Sequence, residues 1–498
     1  MTRASQPLTR RRFLSRGAAA GLGVLASPLL VPAAAAAPPP ITRPLGRTGF
    51  AVSTLGLGGQ ASLQWTPAGI DPVEIIVQAY QRGVNYFDTS NVYDKSQLNY
   101  GAAFRQLGLA PGHGNFDPAR RRQVFVASKT MLRMAKGRMP DGPRAEGSQG
   151  RSMRAVDDLK RTLTQVFGDG KGNYPDDAYI DLFQIHNLNF LEEVDAIYLG
   201  LDQPDPQAPR IGALAALRDY RDGTNRTGLN PQEERRIRHI GISGHYSSPV
   251  LIECMQRDED QLLDTLLVAV NANDRLYFNH QFNAIPVAAA KGMGIIAMKV
   301  FADGVMFGRK AEWNGLDSGV IQTVGSAAMP CAPLVQYSLS MAGVSTAIIG
   351  IGRVDLDPAH CQLQQNLAAA QLPTPLDQQQ LAQTEQLAAS VLEGQTNYFQ
   401  LPAAPLGAPR GAAVQAAGEG NARSLRLSWH MAFAADAPIT HYRIDRDGRE
   451  TGQVPHTPQP TKAPFTFDLP WEDGNHAYSI TTVDARGRSA ESEKLTVS

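Results

Sequence analysis

Tyr179-Ile180-Asp181-Leu182-Phe183-Gln184-Ile185-His186 is a short apolar run that ends on a histidine. A histidine closing such a run is costly to bury unless something partners it. The pattern recurs to either side. Residues 124–129 end on Lys129, residues 85–89 carry Asp88 near their end, and further apolar runs occupy 52–57, 239–243, 266–271, 294–299 and 346–350. Amphipathic stretches lie between them, as at 73–82, at 153–166 with Val156, Leu159, Leu163 and Val166 at three-to-four spacing, and at 334–341. Strands that alternate with helices predict a parallel sheet, and eight of them predict a closed (β/α)8 barrel, an α/β fold. An open doubly wound sheet would need Gly-x-Gly-x-x-Gly after its first strand; Gly56-Leu57-Gly58-Gly59 lacks that spacing.

In such a barrel the C-terminal strand ends carry the chemistry. Asp88, Lys129 and His186 all stand there, and Tyr93 follows Asp88 by five residues. The long connections at 131–151 and 187–210 both follow strands and are expected to enclose a substrate.

The chain has 498 residues, 43% of them hydrophobic, which exceeds one ordinary domain. Its 47 basic and 47 acidic residues balance, but Arg3, Arg10, Arg11, Arg12 and Arg16 crowd the first sixteen positions. Without them the balance is 42 against 47, a net of −5, which gives no electrostatic reason to expect nucleic acid or an anionic membrane as partner. A small molecule is the better expectation for a partner. Cys254, Cys331 and Cys361 are odd in number and widely spaced, suggesting neither disulfides nor a metal site.

The N-terminus places Arg10-Arg11-Arg12-Phe13-Leu14 before a weakly apolar stretch and an alanine cluster. This resembles a twin-arginine export signal, with cleavage expected after Ala35, and implies a periplasmic or secreted protein. Pro28 and Pro32 interrupt the apolar stretch, which is too short to span a bilayer. The barrel is expected over 41–400. Residues 401–420, rich in Ala, Pro and Gly, read as a linker between independently folding domains. From 421 to 498 the pattern becomes all-β, with Leu425, Leu427 and Trp429 alternating, a turn at Asp447-Gly448, and Tyr478, Ile480 and Thr482 alternating late. This segment resembles a fibronectin type III module, an immunoglobulin-like sandwich, and implies a cell-surface or protein partner.

The barrel region from about 43 to 370 resembles the aldo-keto reductase superfamily. The resemblance rests on Pro44-Leu45-Gly46-Arg47-Thr48-Gly49, Phe87-Asp88-Thr89-Ser90-x-x-Tyr93, Val126-x-Ser128-Lys129, Asp181-Leu182-x-x-Ile185-His186 and Ile240-Gly241-Ile242-Ser243. It implies an NADP-dependent oxidoreductase, with NAD as the alternative cofactor, in which a hydride moves between nicotinamide and a carbonyl carbon. Tyr93 would then be the general acid/base, Lys129 would favour its phenolate, Asp88 would hold Lys129, and His186 would orient the carbonyl. The cofactor contacts implied are Gly59, Ser243, Gly244, Asn271, Gly350, Arg353 and Asn366. The 350–353 segment would offer backbone N–H groups and one cation to a phosphate, and Arg353 favours NADP.

The chain departs from the family's pattern at the amide contacts and the stacking ring. Gly244, before His245-Tyr246, replaces an asparagine, Asn271 or Ala272 a glutamine, and Met298 a ring-stacking tyrosine for which Tyr246 is a candidate substitute. An exported reductase has no external supply of NADPH, so a tightly held cofactor, enclosed by the long loops and recycled in place, is expected. The alternatives are an inert nicotinamide-binding barrel acting as sensor or adhesion protein, and a glycosidase. A glycosidase needs paired carboxylates, and of the eight runs only the one at 85–89 supplies a carboxylate near its C-terminal end.

Overall fold

The computed structural model describes residues 40–139, 154–277, 279–396, 401–418 and 423–497. The segment expected to be an export signal and most of the 131–151 loop lie outside the described residues.

Eight parallel strands close into a barrel in chain order. They are β1 (Leu55–Leu57), β2 (Tyr86–Asp88), β3 (Phe125–Thr130), β4 (Ile180–Ile185), β5 (Ile237–Gly244), β6 (Leu263–Ala269), β7 (Gly294–Met298) and β8 (Val344–Ile349). Helices fill the connections, as at Pro72–Gln81, Ala155–Val166 and Cys331–Ser340. The first of these starts where the Asp71 carboxylate accepts from the amides of Val73 and Glu74, with Pro72 at its first position.

The predicted first run, 52–57, proves to be two elements. Ala51–Ser53 pairs antiparallel with Thr42–Pro44, and only Leu55–Leu57 enters the barrel. The break falls at Thr54, whose N–H turns to the carbonyl of Ile41 while its carbonyl accepts from Ala347.

Side chains alternate between two cores, as the two-residue repeat of a strand requires. Tyr86, Phe125, Ala127, Leu182, Leu267, Ile296 and Met298 fill the barrel interior, together with Leu45 and Val52 of the hairpin that plugs it. Phe87, Val126, Phe183, Ile240, Ile242, Leu266 and Ile295 face the helices. This parity puts Asp88, Lys129 and His186 on the inward face, two or four residues above Tyr86, Ala127 and Leu182.

Beyond the barrel two antiparallel sheets share one core. One sheet holds β9 (Arg410–Ala417), β10 (Ser424–His430) and β13 (Phe465–Pro470). The other runs β12 (Arg449–Pro455), β11 (Ile439–Arg446), β14 (Ala477–Asp484), β15 (Ser489–Glu491), with β16 (Leu495–Thr496) also on β14. Trp429, Leu425, Leu427, Tyr442, Ile444, Tyr478 and Ile480 are buried between them. At the tight turn between β11 and β12, Asp447 and Gly448 both take positive φ, 50° and 78°, as a two-residue hairpin needs. The expected linker needs correction, because residues 410–417 form β9, whose Ala412 and Val414 pack on the module core.

The three cysteines are buried free thiols. Among the described residues no helix is long and apolar enough to cross a membrane.

Candidate active site

Lys129, near the end of β3, donates to the Asp88 carboxylate at the end of β2 and to the carbonyl of Thr89 at 2.8 Å. Both side chains are 1% exposed. Burial pushes the Asp88 carboxyl up and the Lys129 ammonium down, and their contact opposes both shifts. The ammonium also lies 4.7 Å from the centroid of the Tyr93 ring.

Tyr93 sits on the turn after β2 rather than on a strand. The turn is closed by Tyr93 N–H to Ser90 carbonyl, 3.1 Å, and Ser96 N–H to Tyr93 carbonyl, 2.8 Å. Asn91 anchors it by donating its carboxamide to the Lys129 carbonyl at 3.1 Å, the Asp158 carbonyl at 3.0 Å and Thr162 Oγ1 at 2.9 Å. The His186 ring meets Tyr93 edge-on with centroids 5.7 Å apart, and its Nδ1 lies 3.1 Å from Ser90 Oγ. Burial, then the charge of Lys129, hold the His186 imidazole well below its ordinary value, so it is neutral near pH 7.

Around these residues runs a cleft whose floor is bare backbone. A Cβ on Gly59 would sit 2.4 Å from the Asp88 carbonyl, and one on Gly58 3.1 Å from Gly350 N. Gln60, Gln64, Trp65, Met131, Asn187, His245, Lys299 and Trp313 form the rim on the Tyr93 and His186 side. Trp65 and Trp313 meet edge to face at 5.4 Å. On the other side lie Met298, Lys299, Phe301, Asp303, Gly304, Arg309, Ile321 and Gly350. Lys299 pairs with Asp303 at 2.7 Å. Lys299, Ala302 and Asp303 all hold left-handed backbone, with φ of 58°, 48° and 54°, a concentration of strain at the cleft wall.

The expected cofactor contacts separate into two groups. Gly59 and Gly350 line the cleft, as does Met298 where a ring-stacking residue was expected. Arg353 lines a neighbouring hollow with Asp355, His360 and Gln365, and its guanidinium is paired with the Asp355 carboxylate. Ser243 is buried and its Oγ accepts from Asn187 N–H at 2.9 Å. Gly244 lies against Leu251, whose methyl a Cβ would meet at 2.8 Å.

Asn271 is engaged by its own turn. Its Nδ2 donates to Asp274 and to the Lys299 carbonyl, and its Oδ1 accepts from the amides of Asn273 and Asp274. Neither Asn271 nor Tyr246 is among the residues lining the cleft. Asn366 is buried in the helix Gln362–Ala369 and does not line the hollow. The phosphate-binding expectation for 350–353 is corrected in part: the amides of Gly352 and Arg353 both donate to Gln362 Oε1, at 2.8 and 2.9 Å.

Sequence reasoning missed the wall formed by 299–321. Its signal was the long connection from β7 to the helix starting at Cys331, which carries a lone tryptophan and an Asp-Gly pair. The 187–210 loop, expected as a lid, holds the helix Leu191–Tyr198, anchored by a buried Arg133–Glu193 ion pair at 3.0 Å.

The sequence profile of the Aldo/keto reductase family matches residues 54–319. L-galactose dehydrogenase of Arabidopsis thaliana is 24% identical over 361 residues, covering 69% of this chain and 92% of its own. Among solved structures, an aldo-keto reductase from Klebsiella pneumoniae in complex with NADPH is 17% identical, covering 73% of this chain and 100% of that one, with a TM-score of 0.41. Fibronectin(III)-like modules from Clostridium thermocellum are 19% identical, covering 19% of this chain and 91% of theirs, with a TM-score of 0.14.

Proposed function

The chain belongs to the aldo/keto reductase family, and on that premise we propose that it interconverts a carbonyl and an alcohol with NADP as cofactor and Tyr93 as general acid/base. The observation that carries the reading is the buried Lys129–Asp88 pair set against the Tyr93 ring, with neutral His186 at that ring's edge.

A nicotinamide nucleotide, when bound, supplies or takes up the hydride. In the reducing direction the carbonyl oxygen gains negative charge and takes the proton of Tyr93 Oη. The Lys129 cation stabilises the phenolate left behind, and Asp88 and the Thr89 carbonyl fix that cation. His186 donates toward the carbonyl oxygen and fixes its direction. The bare floor at Gly58 and Gly59 leaves room for a flat ring beside Tyr93. A phosphate would meet the cations Lys299 and Arg309 on the cleft wall and Arg353 in the neighbouring hollow, Lys299 and Arg353 each already paired with a carboxylate.

Substrate recognition falls to the rim. Gln64 Oε1 and Asn187 Oδ1 are buried acceptors with no hydrogen-bond donor among the described residues, and two indoles flank them. Acceptors beside aromatic faces suit a polyhydroxylated carbonyl or its alcohol, the class to which the substrate named for the Arabidopsis relative belongs. The test is NADPH oxidation with 4-nitrobenzaldehyde and a panel of aldoses. Turnover that survives Tyr93→Phe within tenfold would end the reading.

One observation favours an inert barrel: the Gln362 carboxamide already occupies two of the amides expected to meet a phosphate. That reading predicts nucleotide binding without turnover.

We also place the mature protein outside the cytoplasmic membrane, on the strength of Arg10-Arg11-Arg12 and the stretch that follows. Folding before export lets the cofactor travel with the protein. Denaturing the exported protein should therefore release close to one nicotinamide nucleotide per chain; a stoichiometry near zero would refute the idea.

A further inference from the structure

The β-module meets the barrel through far more than a connecting segment. Met431 belongs to the barrel's core, Phe433 and Phe465 pack against it, and Phe282 of the barrel packs into the module's core. Polar contacts flank this apolar seam: Gln256 Nε2 donates to the Gln459 carbonyl at 2.9 Å, and Lys462 pairs with Glu253 at 2.7 Å. Residues 401–498 therefore do not form the detached unit that their composition suggested.

One cluster in the seam leads inward. The carbonyl of Ala434 in the module accepts from Asn279 Nδ2 at 2.7 Å and from Asn283 Nδ2 at 3.1 Å. The Ala434 N–H donates back to Asn283 Oδ1 at 2.8 Å. Both asparagines are barrel residues, 6% and 4% exposed. They are also tied to each other's segment, since Asn283 Nδ2 donates to the Asn279 carbonyl at 3.0 Å and Phe282 N–H to Asn279 Oδ1 at 3.2 Å. The turn from 279 to 283 is thus gathered around a single residue of the module.

His280 lies inside that turn and is buried. Its Nε2 is 3.0 Å from the carbonyl of His245, and its Nδ1 is 2.8 Å from Ser248 Oγ. A carbonyl can only accept, so Nε2 carries the proton and Nδ1 accepts from the serine. Burial holds this imidazole down at about 4, which keeps it in that neutral form. The carbonyl it grips belongs to a rim residue: His245 lines the cleft with His186, Asn187 and Lys299.

We propose that the β-module is a positioning element of the active site, in which Ala434 acts through Asn279 and Asn283 on His280, and His280 fixes the backbone of His245 at the substrate-side rim. The proposal rests on the reading of that rim as the substrate's, and its function would be lost in a barrel that lacked the module. It gives the C-terminal domain a role that a spacer or adhesion unit does not have.

The test uses the full chain. Asn283→Ala removes two of the three bonds to Ala434. It should raise KM for 4-nitrobenzaldehyde about tenfold, the scale of a small misplacement of a binding group, with kcat and NADPH affinity within twofold. Gln459→Ala removes the side-chain bonds that Gln459 makes with the Met431 N–H and the Ala463 carbonyl, and so loosens the same seam at Met431, away from the turn. It should lower Tm while leaving KM unchanged. His245→Ala should raise KM as Asn283→Ala does, and the double variant should be no worse than either single, because both act on one element. Independently of turnover, backbone amides of residues 244–249 should exchange with deuterium faster in Asn283→Ala and at the parental rate in Gln459→Ala. An inactive protein that shows this exchange pattern would refute the reductase reading and leave the mechanical link standing. Unchanged exchange and KM in Asn283→Ala, an equal KM rise in Gln459→Ala, or additive effects with His245→Ala would overturn the proposal.

Discussion

The Lys129 ammonium lies 4.7 Å from the centroid of the Tyr93 ring while it stays bonded to Asp88 beneath. This geometry separates the ring's role from that of its hydroxyl. Tyr93→Phe keeps the ring against the cation and removes only the group that can carry a proton. Carbonyl reduction should fall by roughly 10²–10⁴-fold, the usual worth of a positioned general acid, with NADPH affinity within twofold. Steady-state rates and a fluorescence titration check the two halves separately.

Removing the cation has a second consequence, on stability. Lys129→Met leaves the Asp88 carboxylate buried without its partner, which costs about 3–5 kcal/mol in comparable pairs. Replacing both, as Lys129→Met with Asp88→Asn, should recover most of that loss in urea denaturation while turnover stays abolished. A single variant as stable as the parent would mean that water or another group solvates Asp88.

How much of this could be read from residues alone follows from what sets each feature. The inward facing of Asp88, Lys129 and His186 was legible because a strand repeats every two residues, so Tyr86, Ala127 and Leu182 fix their parity. The Trp65–Trp313 contact was not, since it joins segments far apart in the chain and 299–321 has no apolar period. Asn271 looked like a cofactor contact by position, yet its amide is used within its own turn. Strand β9 was concealed by composition: alanines at alternate positions suffice to cover an edge when Val414 and Ala412 have a core to meet. His280 carried no signal at all, because its importance lies in which carbonyl the fold brings to its ring.

Buried Asp274 gives the protein a stability that depends on pH. Burial pushes its carboxyl up to about 7, against the hydrogen bonds from Thr396 and Asn271. The folded state therefore holds this proton more tightly than the unfolded chain, whose value is near 4. The contribution is full below about pH 4 and is lost as pH rises through about 7. Asp274→Asn cannot titrate, so its Tm relative to the parent should climb between those limits and level off above them. The slope of that difference is the quantity to measure, since a constant offset reflects only the altered hydrogen bonds. His280 works in the opposite direction between about 6.5 and about 4, and it cancels in the comparison because both proteins keep it.

The last expectation concerns which nucleotide the hollow beside the cleft prefers. Arg353 is half-exposed there and would favour the extra phosphate of NADP, but its guanidinium is held by Asp355, whose carboxyl the Asp357 amide and Arg353 keep below the usual carboxylate range. Asp355 is thus ionised at neutral pH, so a phosphate approaching Arg353 meets a fixed negative charge as well as the cation. Asp355→Asn removes that charge and frees the fork of Arg353. At the surface, where screening by water and salt is strong, the gain should be modest, roughly five- to tenfold in affinity for NADPH, with NADH unchanged. The gain should shrink between 50 and 500 mM salt as the charges are screened. Arg353→Ala should move the preference the other way. Parallel titrations with NADPH and NADH decide the matter: equal changes for both nucleotides in Asp355→Asn would show that this hollow does not hold the phosphate that distinguishes them.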